Sequence, residues 1–82
     1  MIMKDSRILP WHEEKLVGVT LLRRRWMADA RNDHEHCAFC WDKFAEYDGY
    51  LHEGFCTEDG KDWICEACFA DFRQRFRWRI MP

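Results

Sequence analysis

"HCAFCW", residues 36–41, sets two cysteines two positions apart, and "ICEACF", residues 64–69, repeats the spacing. Two intervening residues let a tight turn aim both sulfurs at one point, with its backbone N–H groups bonding back to the thiolates. One pair supplies half of a tetrahedron. A second pair, with 24 residues between, supplies the other half. Four cysteines from two such pairs are a standard ligand set for structural zinc.

Two disulfides or a redox centre are the competing readings. A fifth cysteine, Cys56, makes the count odd, which speaks against an all-disulfide framework. The opening "MIMKDSRILPW" carries Lys4, Asp5 and Arg7 where a signal peptide needs an apolar run. No stretch approaches the ~20 apolar residues of a membrane span. These features lead us to expect a chain that acts in the cytoplasm without a membrane partner, where paired Cys-x-x-Cys motifs are metal ligands. The expected cofactor is one Zn2+ on Cys37, Cys40, Cys65 and Cys68. His34, His36 and His52 have no partner at ligand spacing and are weaker ligands.

The 82 residues are enough for one small domain, whose core alone gives thin stability, so a structural metal suits it. We expect residues 1–33 to form an apolar N-terminal segment and linker packed on a four-cysteine module, residues 34–82. "KLVGVTLLR", residues 15–23, is rich in β-branched residues and reads as a strand, although Leu16, Val19, Leu22 and Trp26 also follow helical spacing. "ARNDHEH", residues 30–36, reads as a polar linker. "YLHEGFCT", residues 50–57, and "DWIC", residues 62–65, are strands joined at Asp59-Gly60, a strong hairpin signal. A two-residue loop there pairs Cys56 with Trp63, which makes Cys56 either a thiol beside the metal but outside the ligand set or, on the plainer reading, a small buried apolar residue. Phe69, Phe72 and Phe76 then fall on one face of a helix, with Glu66 in its first turn and arginines toward its end. Most of the aromatic side chains are expected in the core.

A Cys-x-x-Cys turn, a hairpin and a helix that opens on the second pair resemble the treble-clef zinc finger over residues 34–78. The resemblance implies a small α+β fold in which Cys37 and Cys40 are knuckle ligands and Cys65 and Cys68 lie at the helix start. "HEHCAFCW" with "GFCTEDGKDWICEACFADF" more loosely resembles small, uncharacterised bacterial zinc-binding proteins. LIM and RING domains share the treble clef but bind two zincs, and here one full cysteine set is present.

Function follows by exclusion. Catalytic zinc keeps an open position beside three protein ligands, and four cysteines leave none. "HEE", residues 12–14, matches the start of a deaminase motif, but no Pro precedes either cysteine pair. No Gly-rich phosphate loop is present. We therefore expect a non-catalytic module that binds a protein or itself. Charge supports this: residues 32–72 carry eleven acids against two lysines, and the flanking segments are basic. Arg23, Arg24, Arg25, Trp26, Arg73, Arg77 and Trp78 are the expected partner-binding residues. The same Arg/aromatic segments, 23–26 and 73–79, could instead contact nucleic acid by phosphate pairing and base stacking. A redox-sensitive zinc switch assisted by Cys56 is a third reading.

Overall fold

The structure, a computed structural model, describes residues 5–81. Its elements in chain order are α1 (Pro10–Lys15), β1 (Thr20–Arg25), β2 (His34–His36), β3 (Lys43–Ala45), β4 (Glu53–Thr57), β5 (Trp63–Ile64), α2 (Glu66–Phe76) and β6 (Arg79–Ile80). Four strands form one sheet in the order β5-β4-β1-β6, and β2 and β3 form a separate hairpin. The class is small α+β.

The apolar N-terminal segment enters the sheet as a strand, but later than expected. Leu16 ends α1 and Gly18 turns the chain at φ +76°, a left-handed conformation that glycine adopts without strain. β1 then runs to Arg25 because β4 pairs with it antiparallel as far as Arg25↔Glu53. The short α1 carries its own start signal. Pro10 occupies the first helical turn, where its missing N–H costs nothing, and the His12 ring accepts the Leu9 N–H at 2.8 Å.

The end of the expected linker is a strand: His34–His36 pairs antiparallel with Lys43–Ala45. No alternation of apolar and polar residues marks it, because the hairpin rests on the sheet through β3. Phe44 is fully buried there, 5.3 Å from Trp63 between ring centroids. Beneath that ring lies Gly54, where a Cβ would sit 2.8 Å from Phe44 and 2.7 Å from the Ile64 carbonyl.

The β4–β5 register matches the expectation, with Cys56 opposite Trp63. The loop is wider than two residues: the Thr57 N–H bonds the Asp62 carbonyl at 3.1 Å and the Gly60 N–H bonds the Thr57 carbonyl at 2.8 Å. Phe69, Phe72 and Phe76 are all buried, and Phe55 stacks on Phe69 at 3.8 Å. Helix α2 stops at Arg77, in the left-handed conformation, whose N–H bonds the Arg73 and Gln74 carbonyls. The chain then reverses. Trp78 is buried and its indole N–H donates to the Leu16 carbonyl at 2.7 Å, so β6 falls parallel to β1. No helix among the described residues is long and apolar enough to cross a membrane.

Candidate metal centre

The four sulfurs come from two unlike places. Cys37 and Cys40 lie in the turn between β2 and β3, Cys65 caps α2 and Cys68 sits in its first turn. The turns are tied by backbone: Cys37 bridges Trp63, and the Ala38 N–H donates to the Trp63 carbonyl at 2.7 Å. Phe39, between the two knuckle cysteines, is a core residue. Its ring lies 4.9 Å from Phe72 and 5.5 Å from Phe76. The knuckle is thus plugged into the face of the helix that carries the other two cysteines.

As a result all four ligand atoms lie within 4.8 Å of one another. Zinc–sulfur bonds of about 2.3 Å imply a tetrahedron edge of about 3.8 Å. The Cys40 and Cys65 sulfurs are 3.6 Å apart, far beyond a disulfide bond and close to that edge. Backbone donors already point at the sulfurs. Cys37 accepts from the N–H groups of Phe39 at 3.5 Å and Cys65 at 3.3 Å, and Cys65 accepts from Cys68 at 3.4 Å. Sulfur donors at this spacing, with N–H groups arranged for thiolate, fit a soft or borderline divalent ion.

The protonation pattern agrees. The hydrogen bond from the Cys65 thiol, with backbone N–H bonds, holds Cys37 down to about 4. Its partner Cys65 is pushed up by that same bond and by burial, and burial pushes Cys68 up to about 12. Three of the four cysteines, all but Cys40, are buried. Close-packed sulfurs cannot all ionise without a counter-charge, and a divalent ion takes the place of the protons that Cys65 and Cys68 otherwise hold.

Two residues outside the expected set complete the surroundings. Arg7 Nη1 donates to Cys68 Sγ at 3.5 Å and to Asp71 at 3.1 Å, while Nε and Nη2 grip Asp5 at 3.0 and 2.7 Å. Its guanidinium also lies 4.4 Å from the centre of the Phe72 ring. Four thiolates on a divalent ion carry two net negative charges, and Arg7 offsets part of them. His12 is the second. It is fully buried, and because Nδ1 accepts from Leu9, Nε2–H is the donor to the Ala38 carbonyl at 2.8 Å. It therefore ties α1 to the knuckle. The "HEE" motif contributes a structural histidine, and only its full burial reveals that role.

The other expected site residues are scattered. Cys56 is buried between its cross-strand neighbours Leu22 and Trp63, and is not one of the four clustered sulfurs. Arg23 pairs with Glu53 at 2.8 Å and with Glu66. Arg73 lies 5.1 Å from the Phe69 ring centre, and Arg77 ends the helix. Trp26 and Trp78 are only 6% and 5% exposed, so neither ring offers a face for stacking. Arg24 and Arg25 lie beside Trp26 at the end of β1, where they line a shallow cavity. The exposed aromatic residues are others: Trp41, Tyr47 and Tyr50. Comparison with protein-family models, with curated protein sequences and with solved structures found no match to this chain.

Proposed function

We propose that the protein is a structural-zinc interaction module: a treble-clef zinc finger whose ion is held by Cys37, Cys40, Cys65 and Cys68 and takes no part in catalysis. The four-sulfur cluster carries this reading, because a filled tetrahedron has no position for water or substrate. Sulfur-only ligation and pre-aimed N–H donors favour zinc among the common divalent ions.

The interaction role rests on the surface that the centre holds in place. Met27, Trp41 and Tyr47 are all more than 60% exposed, and Leu9, Val17, Tyr50 and Met81 are at least 40% exposed. The partner is a protein, a second copy of this chain included. Nucleic acid is the weaker alternative, because Arg23 and Arg75 are engaged by Glu53, Glu66 and Glu13 and the two tryptophans nearest the arginines are buried.

Native mass spectrometry of the purified protein tests the metal, with one zinc per chain expected. Light scattering with a pull-down tests the interaction. A strictly monomeric protein that captures nothing would remove the interaction role and leave the zinc reading standing.

A further inference from the structure

A small cleft of about 150 Å3 opens beside the knuckle, between α1, the turn after Cys40 and β5. Trp11, Trp41, Trp63 and His36 line it, together with the acidic residues Glu35 and Asp62. Trp63 is buried and contributes only an edge, so the indoles open to the cleft are Trp11 and Trp41, and Trp41 is held there at a cost. Trp41 is 67% exposed and adopts φ 68°, the left-handed conformation that suits glycine. A large, mostly exposed side chain on a backbone strained by its Cβ adds little to the fold beyond its contact with His36. Such outliers point to a surface kept for a ligand.

The charge of the cleft says which ligand. Asp62 is half-buried, and among the described residues its carboxylate has no ion pair or hydrogen bond. Burial, with the nearby charges of Asp59 and Glu35, pushes its carboxyl up, and Lys15 offsets only part of this. Glu35 adds a second carboxylate, and Cys37, also in the lining, belongs to the four-sulfur cluster. Lys61 reaches the same cleft and is the one lysine lining it among the described residues. An anion would be repelled, and a neutral apolar group would bury Asp62 further without compensation. Indole faces attract cations through their quadrupole. The walls come from three separate elements, so a guest meets more than one ring. That suits a compact, nearly spherical cation with apolar substituents better than a planar guanidinium.

We propose that this cleft binds a quaternary or methylated ammonium group, held by cation–π contact with Trp11 and Trp41 and by the charge of Asp62 and Glu35. The site shares Trp41 with the exposed surface described above, but it does not depend on the interaction reading.

The test is a titration of the full-length, metal-loaded protein with choline, following the tryptophan side-chain N–H resonances by NMR. Its neutral isostere 3,3-dimethyl-1-butanol and free arginine run in parallel. Saturable shifts centred on Trp11 and Trp41 are expected with choline, with binding roughly ten-fold weaker for the alcohol. Trp41→Gly should abolish the shifts at Trp11 with metal content and the backbone amide NMR shifts away from the cleft unchanged, Asp62→Asn should weaken binding, and Lys61→Gln should preserve or strengthen it. Equal binding of the alcohol, tighter binding of arginine, no saturation with choline, or unaltered choline binding by Trp41→Gly would each overturn the proposal.

Discussion

The two Cys-x-x-Cys turns are alike in sequence and unlike in surroundings. The pair Cys65 and Cys68 starts a helix whose next residues, Phe69, Phe72 and Phe76, are buried in the core. Its position is fixed by that packing and by hydrogen bonds within the first turn. The pair Cys37 and Cys40 sits in a hairpin of two three-residue strands. That hairpin is fastened at few points: Phe39 in the helix face, Phe44 over Gly54, the Ala38 N–H on the Trp63 carbonyl, and the His12 ring N–H on the Ala38 carbonyl. Cys40, the one half-exposed ligand, belongs to this side, and so does exposed Trp41. One half of the centre is positioned by the core throughout; the other reaches the core at fewer points and presents a surface. In the proposed zinc module the ion would be the bolt between them.

Removing the bolt has the largest effect. Structural zinc in small domains contributes about 10 kcal/mol or more of folding free energy. Chelation should abolish near-UV circular dichroism, while helical far-UV signal is retained only in part. Cys68→Ser and Cys40→Ser should both weaken zinc binding. Hydrogen exchange separates them: after Cys40→Ser the helix keeps more protection than the hairpin, and after Cys68→Ser both lose it. Equal protection of the two halves in Cys40→Ser would break the distinction.

Gly54→Ala strikes the seat of the weaker half. Its Cβ would meet a backbone carbonyl at 2.7 Å as well as the Phe44 ring, so the hairpin must lift or the sheet must shift. Overpacking of this kind costs about 1–3 kcal/mol. A denaturant midpoint within error of the parent would show that the hairpin adapts freely.

Much of this arrangement was readable from the chain. Spacing alone picked out the four cysteines, because ligand geometry is local within each pair. Asp59-Gly60 set the β4–β5 register, and the Phe69/Phe72/Phe76 period set the buried face of α2. What escaped reading depends on contacts across the fold. His34–His36 has no apolar alternation, since its strand is held through Phe44 on its partner. Trp26 and Trp78 looked like stacking surfaces because they stand among arginines, yet both rings are buried and the arginines project outward or pair with acids. Arg7 is separated from Cys68 by 61 positions, and nothing local to either residue links them.

Arg7 offers the next step down in effect. It joins the N-terminal arm to the core-positioned half through Cys68 and Asp71. Losing an outer partner of a metal ligand costs about ten- to a hundred-fold in metal affinity. Arg7→Ala should fall at the lower end of that range in a chelator competition, since the bond to sulfur is long. Arg7→Lys should recover part of the loss by charge alone. An unchanged affinity would mean that backbone N–H groups suffice to stabilise the thiolates.

The smallest effects lie on the exposed side of the knuckle, and their expected sign is reversed. Trp41→Gly relieves a left-handed residue, a strain of roughly 1–2 kcal/mol, and removes a mostly exposed ring. Higher stability is expected, by less than that full amount because some packing beside His36 is lost. Asp62→Asn should be smaller still, within about 0.5 kcal/mol. Because burial raises its folded-state pKa, the folded chain takes up this proton more readily than the unfolded one. Its contribution favours folding below the ordinary carboxylate pKa and is lost as pH rises through the raised folded value. The variant should therefore be the more stable protein at neutral pH and lose the advantage in acid. If both substitutions stabilise the fold, the knuckle carries residues that its own stability does not require; if both destabilise it, Trp41 and Asp62 belong to the architecture, and the exposed half of the centre is built as tightly as the buried one.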